Sequence, residues 1–246
     1  MKTSVVPLAA LLGALIVTSV IVSQVTPASL LPAPERPFEG YGNPEVRVET
    51  NEFPRHATGG DNVRVRIDRS PRRIVSQFSS TDEFAYTVVP PERIVGVSEN
   101  AYQRRVSNVY TLAERYQPVI ASDPERVLRA APDLVLTPQS ARSDLPALLR
   151  TAGVPVYRMH TMFSTLASIE EHIRVLGYLS GEDERAAIEV RRFQDAIRRA
   201  ASRKPAGSAA PRVMGFGGSY SYGSQTLFTD IMRVLGAENA AATHGL

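Results

Sequence analysis

Residues 168–202, SIEEHIRVLGYLSGEDERAAIEVRRFQDAIRRAAS, are the stretch from which the organisation of the chain can be inferred. In its second half, apolar residues recur at steps of four and three, which places them on one face of an α-helix. They are Ala186, Val190, Phe193, Ile197 and Ala200. The sequence predicts a helix capped at Ser180, preceded by a turn of helix that starts at Ser168 with Glu171 in the capping-box position. This segment is either an ordinary surface helix or a rigid strut between two lobes.

The composition excludes several classes of function. A chain of 246 residues is enough for one large domain or two small ones, and 43% hydrophobic residues indicate a globular protein. The sequence contains no cysteine, so disulfides, thiolate metal sites and cysteine nucleophiles are excluded. The net charge of +3, with both signs mixed, is too small a bias to indicate a nucleic-acid partner.

The N-terminus carries an apolar run that begins behind Lys2 and ends near Val25. A short positive start followed by an apolar core is typical of a secretory signal, and the run is also long enough to span a bilayer. We therefore predict a signal peptide or membrane anchor over residues 1–28, followed by a proline-rich linker over 29–52. The protein is expected in the periplasm or another extracytoplasmic location, either cleaved or anchored.

Residues 53–165 are predicted to form an N-terminal α/β lobe. A hairpin over 53–67 precedes segments in which strands and helices alternate with short connections. The predicted strands are 73–76, 93–97, 133–137 and 154–157, and the predicted helices are 83–89, 123–131 and 143–151. The segment 102–118 shows no clear period. This alternation favours a parallel sheet covered by helices.

A helical segment over 166–204 leads to a second lobe that starts within 205–246. Its predicted elements are a strand at 212–214, a glycine-rich loop, a helix over 226–235 and a strand near 238–240. One such unit is too small to bury a core of its own, so we expect a C-terminal truncation. The predicted fold is α/β, with two Rossmann-like lobes with parallel sheets joined by one long helix, the second lobe being incomplete.

The order of several motifs resembles a known family. These motifs are SPRRIVS at 70–76, PERIVGVS at 91–98, DPERVL at 123–128, APDLVLT at 131–137 and GVPV at 153–156. Together with the hairpin and the long helix, they resemble the ABC-transporter solute-binding proteins whose two lobes are joined by one long helix. Members of that class bind iron–siderophore complexes, haem and cobalamin.

The resemblance implies a protein that captures a bulky metal chelate and delivers it to an ABC permease. It implies a monomer with no cofactor and no metal site of its own. In the family, an exposed glutamate at the start of one helix docks onto arginines of the permease, and the matching residue here is Glu125. Glu125 could instead only favour its own helix dipole.

Ligands of parallel α/β sheets bind outside the carboxyl ends of the strands. The candidate ligand-binding residues on these loops are Ser79, Ser80, Glu99, Tyr102, Arg104, Gln139 and His160, with Ser219, Tyr220 and Tyr222 in the second lobe. Tyrosine offers a stacking face and a hydroxyl, and Arg104 could pair with an anionic chelate. Each could also be a solvated loop residue.

The sequence leaves other functions open. Direct binding of a divalent metal ion would need converging ligands, for which His160 with Glu99 and Asp82 is the only candidate set. An enzyme is disfavoured because the sequence has no Gly-x-Ser-x-Gly elbow and no P-loop. An anchored sensor or binding module without a transporter is the remaining alternative.

Overall fold

The computed structural model describes residues 52–121, 123–140, 144–160, 165–203, 209–218 and 220–242. The predicted signal or anchor lies outside the described residues, as does nearly all of the predicted linker. The chain divides into two compact units, a first unit that ends at Glu189 and a second unit that begins at Val190. The predicted domain bounds remain predictions.

The first unit opens with the predicted hairpin, which is confirmed. Strand β1 (Arg55–Thr58) pairs antiparallel with β2 (Arg64–Ile67). Along β2 the buried positions alternate with exposed ones, as a strand with one face on the core requires. In the turn, the Asp61 carboxylate accepts a hydrogen bond from Arg150 at 2.8 Å, which attaches the hairpin to the rest of the unit.

A parallel sheet of five strands forms the centre of the first unit. The strands are β3 (Ile74–Ser76), β4 (Ile94–Val97), β5 (Val119–Ile120), β6 (Leu134–Pro138) and β7 (Val156–Met159). Their order is β5-β4-β3-β6-β7, and each neighbouring pair is parallel. The predicted α/β class with a parallel sheet is confirmed.

Helices cover this sheet, so the central strands β3 and β6 are buried at every position. The helices are α1 (Ser79–Val88), α2 (Tyr110–Tyr116), α3 (Pro124–Arg129), α4 (Leu145–Thr151) and α5 (Leu166–Ser180). Val127 of α3 and Leu149 of α4 pack with Val75 and Val135 in one buried cluster. Helix α1 packs against α5.

The start of α1 differs from the prediction by four residues. Ser79, Ser80 and Asp82 were expected in a loop, because serine, threonine and aspartate favour caps and turns. In the structure they form the first turn of α1. Buried Thr81 explains this start: its hydroxyl accepts a hydrogen bond from Phe78 N at 3.1 Å and donates one to Phe78 O at 2.9 Å.

The segment 102–118 is not irregular throughout. It contains the end of a 3₁₀ turn, Glu99–Tyr102, and the whole of α2, and it leads into β5. Strand β5 was not predicted, because a strand of two residues is too short to show a period.

The predicted helix starts at Ser168 and Ser180 were both wrong. Helix α5 is capped by Thr165, whose hydroxyl accepts from Ser168 N at 3.1 Å, so Ser168 lies inside the first turn. Ser180 is the last residue of α5, and Gly181 ends that helix in the left-handed region at φ 74°. The next helix, α6 (Asp183–Ala201), therefore begins after a sharp break and continues across the division between the units.

The second unit contains the predicted strand–helix–strand sequence. Strand β8 (Arg212–Val213) precedes a short hairpin of β9 (Phe216–Gly217) and β10 (Tyr220–Ser221), which was predicted as a loop. Helix α7 (Leu227–Leu235) follows, and β11 (Glu238–Asn239) then pairs parallel with β8.

Candidate ligand-binding site

The strand order identifies the edge of the sheet at which a ligand could bind. From β3 the chain proceeds to β4 and β5 on one side, and it then crosses to β6 and β7 on the other. The connections that leave β3 and β6 therefore diverge, and parallel α/β sheets bind their ligands in a crevice at the carboxyl ends of two such strands. Gln77 and Phe78 follow β3 at this point, and Gln139 follows β6. The amide of Gln77 donates to Leu136 O at 3.1 Å and keeps the two segments together.

Hydrogen bonds hold the loops after β3 and β4 to each other. Asn100 donates from Nδ2 to the Ser79 hydroxyl at 2.9 Å. Asp82 accepts from the Ser98 amide at 3.2 Å and from the Ser98 hydroxyl at 2.5 Å. These side chains make the rim of the crevice a connected structure, so a ligand meets groups whose positions are already set.

Asp82 is buried beneath this rim. Burial raises the pKa of its carboxyl above the ordinary value of 3.8, and hydrogen bonds from Ser76 and Ser98 oppose that rise. The nearby Ser76 and Thr81 hydroxyls lie 2.7 Å apart and are also buried. Asp82 therefore contributes to the rim by holding Ser98, and its side chain has no exposed surface for a ligand.

On the far side of the crevice, the structure brings two predicted site residues together. Nδ1 of His160 and Oε1 of Gln139 form a hydrogen bond. The Gln139 carbonyl accepts from Nη2 of Arg158 at 2.6 Å. The His160 carbonyl accepts from Nε2 of buried His172 at 2.8 Å. Burial lowers the pKa of His172.

The other predicted residues of the first unit have different surroundings. Ser79 and Ser80 start α1, and Oγ of Ser80 is buried without a hydrogen-bond partner among the described residues. Glu99 and Arg104 are exposed. The Tyr102 hydroxyl donates to Pro118 O at 2.5 Å, so it is already used within the first unit, and burial raises its pKa.

In the second unit, the predicted tyrosines belong to an aromatic group on the β9–β10 hairpin. The rings of Tyr220 and Tyr222 meet edge to face with centroids 5.7 Å apart, and Tyr222 stacks on Phe228 at 5.6 Å. Asn239 donates to Tyr222 O at 2.7 Å and fixes the end of the hairpin. Ser219 lies outside the described residues.

Two aromatic residues at these positions were missed by the sequence analysis. Phe78 follows β3 and is 49% exposed, and Phe216 on β9 is 70% exposed. No local signal identified Phe78, because the helix that it precedes was predicted to start only at residue 83.

Glu125 lies at the surface, where the sequence placed it. Asp123 caps α3 by accepting a hydrogen bond from Arg126 N at 2.9 Å, and Pro124 occupies the first position. The Glu125 side chain is 80% exposed and forms an ion pair with Arg129 at 2.5 Å. A partner protein could reach this carboxylate without any rearrangement of the helix.

The possible metal set of His160, Glu99 and Asp82 is not assembled in the structure. Within the described ranges, no three histidine, aspartate or glutamate side chains come close enough to hold an ion. Nor does any helix in the described part of the chain combine the length and the apolar character needed to cross a membrane.

Comparison with known proteins places this geometry in a family. The family described as "Periplasmic binding protein" matches residues 74–245. A cobalamin-binding protein of Halobacterium salinarum is 26% identical over 230 residues, which cover 93% of this chain and 60% of that protein. An uncharacterized ABC transporter substrate-binding lipoprotein of Bacillus subtilis, YvrC, is 26% identical over 219 residues, covering 82% of this chain and 68% of the relative.

Solved structures share the fold. The haem-binding protein HmuT superimposes with a TM-score of 0.58 and 18% identity, over 86% of this chain and 70% of HmuT. The chain spans 60% of the length of the cobalamin-binding relative. Because the family match covers more than half of the sequence, this chain belongs to the periplasmic binding protein family.

Proposed function

We propose that this chain is the extracytoplasmic substrate-binding component of an ABC importer. Its cargo would be a ferric siderophore or a related metal chelate, such as haem or cobalamin, which it delivers to the permease. The observation that carries the proposal is the reversal of the strand order between β3 and β6, since parallel α/β sheets bind ligands at the carboxyl ends of their strands at such a point.

The connected rim around this crevice supports capture of a large, semi-rigid ligand. Hydrogen bonds between Ser79 and Asn100, between Asp82 and Ser98, and between Gln139 and His160 already order the loops. Little conformational entropy is then lost when the ligand arrives, so more of the contact energy contributes to affinity. Gln139 is the polar group that we expect to touch the ligand from the first unit, since Oγ of Ser80 is buried.

The names of the relatives support the class of cargo and the partner. One relative is a cobalamin-binding protein, another is an ABC transporter substrate-binding lipoprotein, and HmuT binds haem. The exposed carboxylate of Glu125 supports a docking contact with a permease, and the apolar N-terminal run supports an extracytoplasmic location.

The proposal is tested by isothermal titration calorimetry of the full chain. The ligands are haemin, cyanocobalamin, ferrioxamine, a ferric tris-catecholate and, as free metal, zinc chloride. We expect one class of chelate to bind and zinc chloride not to bind. Gln139→Ala should weaken that binding by a few-fold to about tenfold, because it removes a polar group of the rim.

The matched control is Thr151→Ala. Thr151 is an exposed residue at the end of α4, away from the carboxyl ends of the strands. It should leave affinity unchanged. Binding of zinc chloride alone, or of none of the chelates, would contradict the proposed function.

A further inference from the structure

The turn of the β1–β2 hairpin lies against the side chain of Gln139. A Cβ atom added at Gly60 would lie 3.0 Å from Oε1 of Gln139 and 3.1 Å from its Cδ. Both distances are too short for comfortable contact, since non-bonded carbon atoms attract best at about 3.5–4.0 Å. The absence of a side chain at Gly60 therefore leaves the space that the Gln139 side chain occupies.

The backbone of Gly60 does not itself require glycine. In this turn the left-handed region is occupied by Asn62, at φ 59°, whereas Gly60 lies outside that region. Glycine is favoured over other residues mainly where φ is positive or where another group approaches the backbone closely. Since φ does not account for Gly60, the close approach of Gln139 is the reason that remains.

Two connections hold the turn in place against the first unit. The amide of Gly60 donates to Arg158 O on β7 at 2.7 Å. The Asp61 carboxylate, 15% exposed, forms an ion pair with Arg150 of α4 at 2.8 Å. Because the turn is held at both points, a methyl group added at Gly60 would displace the more flexible Gln139 side chain.

The backbone of Gln139 is fixed independently of its side chain. Its amide donates to Met159 O at 2.7 Å, and its carbonyl accepts from Nη2 of Arg158 at 2.6 Å. The side-chain Oε1 is hydrogen-bonded to Nδ1 of His160. An amide oxygen only accepts, so this bond places the proton of a neutral His160 ring on Nδ1. Displacing the Gln139 side chain would therefore also release the His160 ring.

We propose that Gly60 is a positioning residue of the ligand-binding site. Its missing side chain lets the hairpin turn hold the Gln139 amide, and through it the His160 ring, in the direction from which they meet the ligand. This inference rests on the proposed function, and it extends the site to a hairpin that lies outside the parallel sheet.

A double-mutant cycle on the full chain tests this role with Gly60→Ala, Gln139→Ala and the double variant. Each protein is titrated by calorimetry with haemin, cyanocobalamin, ferrioxamine and the ferric tris-catecholate. For the chelate that binds, Gly60→Ala should weaken binding by a few-fold to about tenfold, as Gln139→Ala does. In the Gln139→Ala background, the same change at Gly60 should alter affinity by less than about twofold, because the group that it displaces is gone. Equal weakening in both backgrounds would overturn the proposal.

The matched control is Val63→Ala. Val63 belongs to the same turn and is 37% exposed, so shortening it should leave affinity unchanged. Thermal unfolding of each variant checks that it is folded. If Gly60→Ala does not fold but the double variant does, the contact with Gln139 is the reason and the proposal is supported. If neither folds, the backbone itself requires glycine and the proposal is overturned.

NMR of the histidine ring nitrogens in the ligand-free full chain separates failure of this inference from failure of the proposed function. The His160 signals are assigned by their loss in His160→Gln. Gly60→Ala should shift them away from the form protonated on Nδ1 and toward their values in Gln139→Ala. Unchanged His160 signals would overturn the role of Gly60 even where a chelate binds. If no chelate binds, the proposed function falls, and the NMR comparison still decides whether Gly60 positions Gln139.

Discussion

The Asp82 carboxylate accepts hydrogen bonds from the amide and the hydroxyl of Ser98, at 3.2 and 2.5 Å. Asp82 belongs to the helix that follows β3, and Ser98 begins the turn that follows β4. One fully buried side chain therefore links two of the loops that form the rim of the crevice.

The first prediction concerns the pH dependence of this link. Because burial raises the pKa of Asp82, the folded state holds a proton that the unfolded state has lost once the pH exceeds 3.8. The Asp82→Asn variant does not titrate at this position and serves as the reference. Relative to it, the unaltered chain should lose stability as the pH rises from 3.8 through the raised pKa. Above that pKa, the difference in unfolding free energy between the two proteins should be constant. Urea unfolding across a pH series measures it, and a difference that does not vary with pH would contradict the assignment.

The second prediction concerns the corner between α5 and α6. A Cβ added at Gly177 would lie 2.3 Å from Cβ of Ala186, so the helices approach too closely there for a larger residue. Gly177→Ala should lower the free energy of unfolding by about 1–3 kcal/mol through overpacking. Adding Ala186→Gly should recover part of this loss, although glycine within a helix itself costs about 1 kcal/mol. No recovery in the double variant would mean that this contact is not the cause.

The third prediction concerns Arg93, whose side chain is 9% exposed and pairs with Glu182, itself 22% exposed. Arg93 also donates to Ser180 O at 2.8 Å, so it joins the end of α5 to the start of β4. Arg93→Ala should cost about 3 kcal/mol or more, because it leaves a partly buried carboxylate unpaired. Arg66→Ala is the control, since the exposed pair of Arg66 and Asp68 should contribute less than about 1 kcal/mol. Equal losses of unfolding free energy for Arg93→Ala and Arg66→Ala, measured by urea unfolding, would contradict this prediction.

The fourth prediction concerns permease docking. Glu125→Arg reverses an exposed charge and should change stability by only about 1 kcal/mol, through the helix dipole and the like-charged Arg129. Ligand affinity should be unchanged, while uptake by cells that carry the cognate permease should fall. Arg129→Ala removes the helix partner of Glu125 but keeps the acid, and it should preserve uptake. Full uptake by Glu125→Arg would show that the docking role is wrong.

Several elements could be predicted from the sequence because their signals are local. The hairpin follows from the alternation of Val65 and Ile67 with arginines, and the start of α3 follows from Asp123 and Pro124. A helix cap, or an alternation of apolar and polar residues along a strand, involves residues only two to four positions apart. Neighbouring residues are therefore enough to predict it. The alternation of strands and helices likewise indicated the parallel sheet, which the structure confirms.

Only the tertiary structure decided the position of the crevice and its rim. Asp82 and Ser98 are 16 positions apart, and Gln139 and His160 are 21 apart. The pairing of these side chains depends on which strands are neighbours in the sheet. Strand β5 likewise forms through its hydrogen bonds to β4. Short-range sequence patterns indicate the secondary structure of each segment, but long-range pairing in the sheet determines which segments lie next to each other. The candidate site could therefore not be assembled from the sequence alone.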